Sequence, residues 1–86
     1  MRHARPAALD QLEPLLTRLR QIAGLQERTR GVFYLKSKAF LHFHEDPAGL
    51  FADIRAADGR DFDRVQVDAE DARDALVQTA TARARA

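Results

Sequence analysis

The 86-residue chain contains no cysteine, which excludes a disulfide framework, a thiolate metal site and a thiol nucleophile. No apolar run approaches the roughly 18–20 residues that a membrane-spanning helix needs. Glycine is sparse: Gly24, Gly31, Gly49 and Gly59 stand singly, where caps and turns account for them. No Gly-rich phosphate loop, dinucleotide fingerprint, Gly-x-Ser-x-Gly elbow or His-Glu-x-x-His helix is present. The first residues, Met1-Arg2-His3-Ala4-Arg5-Pro6, lack the compact apolar block of a signal peptide. The expected compartment is the cytoplasm, with no membrane association.

What is present is ordinary for a globular chain: 45% hydrophobic and 31% charged residues. The length admits a single domain over 1–86, with residues 1–8 expected as a flexible segment and 82–86 as a frayed terminus. A chain of this size buries only about 60–65% of its unfolded surface, so self-association would add useful apolar burial.

Net charge is +1, yet the halves differ. Residues 1–38 carry eight basic side chains against three carboxylates, a balance of +5, and residues 39–86 carry six against ten, a balance of −4. Twelve of the fourteen basic residues are arginine and sixteen residues are alanine, a skew that a GC-rich genome produces without functional pressure. Arginine counts alone therefore do not point to nucleic acid.

Leu9, Leu12, Leu15, Leu16, Leu19, Ile22 and Ala23 follow a helical stripe. Pro14 suits a first helical position with Glu13 as cap, so the spacing predicts a helix from about 10–14 to 23, ended by Gly24. Residues 25–30 are polar and read as a connection. From Gly31 the period changes to that of strands: 32–36 and 39–44, either around a Ser37-Lys38 turn or as one bent strand with a bulge, then 50–55 after Asp46-Pro47-Ala48-Gly49, then 62–67 after Asp58-Gly59. Asp68 is placed to cap a second helix, with Ala69, Ala72, Leu76, Val77 and Ala80 at helical spacing. The expected fold is α+β, in the order α-β-β-β-β-α, a four-stranded antiparallel meander with two helices packed on one face.

Chemistry concentrates in His42-Phe43-His44-Glu45-Asp46. On a strand His42 and His44 point to one side, about 6.5–7 Å apart, and Phe40 would share it. Such a pair can hold zinc with a third ligand from Glu45, Asp46, Asp53 or His3. Either imidazole could serve as a general base oriented by Asp53 or Asp46, but the available hydroxyls are Ser37, Thr17 and Thr29, and no catalytic set is assigned. A basic surface with aromatic neighbours, formed by Arg28, Arg30, Lys36 and Lys38 beside Tyr34 and Phe40, would suit nucleic acid. Apolar residues fall on both faces of the expected sheet. The face bearing Tyr34, Phe40 and His42 is therefore a candidate interface, and the chain reads first as a homodimeric interaction module for a protein partner or DNA.

The stretch Gly31–Arg55 resembles a small uncharacterised bacterial family and, more remotely, is similar to the YjbR/MmcQ-like group. Phe33, the Ser37-Lys38 turn, Phe40 and Arg55 match its succession of aromatic strands, turn and basic strand end. Ser37 stands where that group has glycine, and the chain is shorter than its members. The resemblance implies a compact α+β fold and DNA binding, with Lys38 as the matching basic position of the turn.

Overall fold

Five leucines at helical spacing set the longest early element of the computed structural model, which describes residues 1–86. In chain order the elements are β1 (Arg2–His3), α1 (Pro6–Arg20), β2 (Leu25–Thr29), β3 (Val32–Leu35), β4 (Lys38–Asp46), β5 (Gly49–Arg55), β6 (Phe62–Gln66) and α2 (Glu70–Arg85). The class is α+β, with two helices and a six-stranded antiparallel sheet. Two more strands form than the sequence suggests.

Helix α1 starts earlier than expected. Arg5 is its extended N-cap, Pro6 takes the first turn, and Pro14 lies inside the helix. A proline there removes one i→i−4 hydrogen bond and costs about 3 kcal/mol. Leu9, Leu12, Leu15, Leu16 and Leu19 are all buried along the same stripe, and each contributes roughly 1.5–3 kcal/mol. Burial wins by a wide margin, so the stripe overrides the proline. Residues 1–8, expected as a flexible segment, carry β1 and the start of α1, and α2 runs through to Arg85.

Residues 25–30 are not a plain connection. Leu25–Thr29 pair with β3 as an edge strand, held by charge more than by apolar alternation. Glu27 accepts from Arg20 and from the Gly31 N–H, Glu13 accepts from Arg20 and Arg30, and Arg30 also reaches Asp10. These contacts fasten α1 to the β2–β3 hairpin. Gly31, at φ +79°, makes the tight turn, and a Cβ there would lie 2.7 Å from Leu9 Cδ2. The β3–β4 turn centres on Lys36 and Ser37, both left-handed at φ 52° and 70°, one residue earlier than expected and without the usual glycine or asparagine.

Strand order is β2-β3-β4-β5-β6, with β1 added beside β4. Phe33 pairs with Leu41 but Tyr34 pairs with Ala39, leaving Phe40 as the extra residue of a β-bulge. Phe40 and Leu41 are therefore both buried, at 3% and 0% exposure. This corrects the expectation that Phe40 shares a face with His42 and His44. The β4–β5 turn falls at Pro47-Ala48 as expected, with the Ala48 N–H donating to Asp46. Asp68 does not cap α2, whose N-cap is Ala69. Its carboxylate instead accepts from the Leu50 N–H at 3.2 Å and from Gln66.

One core joins α1 and α2 to Phe33, Leu41, Phe43, Leu50, Ala52 and Ile54 of the sheet. Leu76 and Ala80 represent α2 in it, and Arg18 bonds Asp74 across the helix pair at 2.7 Å. Truncation of Phe40 to alanine is expected to destabilise the fold by about 3–5 kcal/mol, the cost of a buried aromatic, in urea denaturation. The two guanidinium groups of Arg20 and Arg30 hold the Glu13 carboxyl down at about 2, below its ordinary 4.5. The stabilisation this brings is complete above pH 4.5 and is lost as pH falls toward 2. Glu13→Gln should therefore flatten the fall in thermal midpoint over that window.

Candidate metal centre

The pleat of β4 sends Leu41 and Phe43 into the core and His42 and His44 to the opposite face. Strand β3 pairs with β4 only as far as Leu41. The next stretch of that edge is taken by β1, which sets His3 opposite His44 and Arg2 opposite Glu45. An Ala4 N–H bond to the Phe43 carbonyl, 3.1 Å long, extends this seam. On the other side of β4, Asp53 lies opposite His42 and Phe51 opposite His44. Arg64 of β6 lies opposite Asp53 in turn.

Three imidazoles converge as a result. Ring centroids are 4.9 Å apart for His3–His44 and for His42–His44, and 5.8 Å for His3–His42. One nitrogen from each ring lies within 4.8 Å of the others. Three buried imidazole nitrogens, Nδ1 of His42 and both nitrogens of His44, have no hydrogen-bond partner. Buried polar atoms are normally satisfied, so three unpartnered nitrogens in one cluster set this part of the sheet apart.

Asp53 is 7% exposed. Arg64 grips its two oxygens through Nε at 2.7 Å and a terminal nitrogen at 2.8 Å. The Arg64 guanidinium holds the Asp53 carboxyl below the usual carboxylate range against the opposing effect of burial. Asp53 Oδ2 also lies 3.1 Å from His44 Nε2, close to the ring nitrogen but not aligned as a hydrogen bond. Burial pushes the His42 imidazole down, with the neighbouring His44 adding to it, so its neutral, ligating form is favoured. Phe62 borders the group, its ring 5.3 Å from that of His42.

Of the four candidates for a third ligand beside His42 and His44, the fold brings His3. Glu45 accepts from the Arg5 backbone at 2.8 Å, Asp46 caps its own turn, and Asp53 belongs to Arg64. The Arg64 partnership escapes sequence reading because its only signal is the register between β5 and β6 across the loop that joins them. Of the basic residues, Arg30 bonds Asp10 and Glu13, Arg28 lies over the Tyr34 ring at 4.2 Å, Lys36 lies in the β3–β4 turn and Lys38 opens β4. Of the expected interface set, Tyr34 is half-buried beneath Arg28, Phe40 is in the core and His42 is in the imidazole cluster.

Arg64→Met should leave the Asp53 carboxylate without its partner and lower the urea midpoint of unfolding. Arg64→Lys should restore only a fraction of this, because an ammonium cannot hold both oxygens in the same fork.

No protein-family model, curated protein or solved structure matches the chain, and the imidazole cluster with its Asp53–Arg64 pair stands on its own geometry.

Proposed function

We propose that the protein binds a first-row divalent metal ion, zinc foremost, through His3, His42 and His44. The observation that carries this reading is the convergence of three imidazoles, two of which, His42 and His44, have a buried Nδ1 without a hydrogen-bond partner. Zinc–nitrogen bonds of about 2.0–2.1 Å in a tetrahedral site require donor atoms about 3.3–3.5 Å apart. The donors lie within 4.8 Å of one another, and binding would require side-chain rotations that close them to that spacing. Imidazole is a favoured ligand for zinc, copper, nickel and iron, and a chain without cysteine offers no competing thiolate.

The sheet prepares the site in advance. His42 and His44 sit in the middle of a strand bonded on both sides, so their backbone positions are held whether or not metal is bound. His3 belongs to a two-residue strand, the least firmly held of the three. Binding would therefore tie β1 to β4 more firmly. The interaction-module and nucleic-acid readings have no comparable convergence of side chains in their support.

Isothermal titration of chelator-treated protein with zinc should give one ion per chain. His42→Ala and His44→Ala should each weaken binding by more than the roughly 10–100-fold that loss of an outer-shell partner costs. His3→Ala should do likewise and should also raise amide exchange in residues 2–5. Zinc binding that survives all three substitutions would refute the assignment.

A further inference from the structure

We infer that the His3–His42–His44 centre leaves a metal coordination position for a ligand from solution, and that this ligand is a small monodentate anion. The inference rests on the metal-binding reading above and adds to it the class of molecule the site takes.

The donor inventory leads there first. Besides the three imidazoles, the only carboxylate in contact with the cluster is Asp53. Both its oxygens are held by Arg64, and recruiting either one to a metal would break a bidentate pair on a residue that is 7% exposed. Glu45 and Asp46, next along the strand, are occupied by the Arg5 and Ala48 N–H groups. The chain thus supplies three nitrogens to an ion that takes four or more ligands, the donor count of an open rather than a closed zinc site. Asp53 stays beside the cluster as the partner of Arg64 and is not counted among the ligands.

Charge and shape then select the ligand. Three neutral imidazoles leave the double positive charge of the ion uncancelled, and Asp53 with Arg64 is a pair of zero net charge. An anion is favoured over a neutral ligand at such a centre. The site lies on the face away from the core, and the exposed His3 is where the cluster reaches the surface. Phe62 beside His42 and Phe51 across from His44 border it with apolar edges, which suits a small ligand with few hydrogen bonds of its own.

Cobalt(II) is the probe, because its visible absorption responds to a change in its ligands. The cobalt-loaded protein is titrated with azide, with thiocyanate and with imidazole, and Asp53→Asn is treated in parallel after its fold is checked by circular dichroism. The expected result is a saturable spectral shift at one anion per cobalt, a weaker response to imidazole, and a cobalt stoichiometry retained in Asp53→Asn. A spectrum indifferent to both anions, with one cobalt bound per chain, would overturn the open position while leaving metal binding intact. A stronger response to imidazole than to either anion would overturn the anion preference. Loss of the wild-type cobalt spectrum in a folded Asp53→Asn would make Asp53 a ligand and overturn the donor count. Failure of cobalt and zinc alike to bind would remove the metal-binding reading and this inference with it.

Discussion

The two-residue period of β4 is the constraint on which the rest of the molecule depends. Leu41 and Phe43 on one side and His42 and His44 on the other are separated only by the pleat. A one-residue slip of register would drive two imidazoles into the leucine core and expose two large apolar side chains. The β-bulge at Phe40 keeps this partition in place. It absorbs one residue so that a third aromatic enters the core just before the alternation begins. The Leu41↔Ile54 and Phe43↔Ala52 pairs with β5 are buried on the core side, which locks the register.

Apolar burial and charge divide the remaining work by position. The leucine stripe of α1 is strong enough to carry a proline through its middle. Away from the core, the chain relies on arginine. Arg20 and Arg30 tie α1 to the β2–β3 hairpin, Arg55 holds the Ala39 and Gly59 carbonyls, and Arg83 reaches from α2 to the Arg55 carbonyl and Asp63. Exposed pairs of this kind are worth little singly. Several of them converge on Glu13 and Glu27, however, and there they fasten an edge strand that has few apolar residues of its own. Two further arginines of the first half, Arg5 and Arg18, meet carboxylates of the second, Glu45 and Asp74.

The candidate site draws on four strands. Alternate positions on β4 supply two imidazoles, and β1 contributes a third from the far end of the sequence. The Asp53–Arg64 pair spans β5 and β6 and closes a local charge balance beside the rings. It keeps a carboxylate next to the three imidazoles without leaving a free negative charge.

By itself the sequence determined the elements with a strong period: the α1 stripe, the aromatic strands of the meander, the Pro47 turn and the closing helix. It also marked His42 and His44 as sharing a face, because spacing along one strand is a local property. Tertiary structure decided the rest. Pro14 became interior because five buried leucines outweigh one lost hydrogen bond, a comparison that exists only once the core is assembled. Leu25–Thr29 became a strand through ion pairs with a helix, and Phe40 became core through a bulge that depends on its partner strand. His3 joined the imidazole pair because β3 stops at Leu41 and leaves an edge of β4 for β1 to fill. Periodicity is written in neighbouring residues, whereas convergence depends on which strands pair and in which register, and that is settled only when the whole sheet forms.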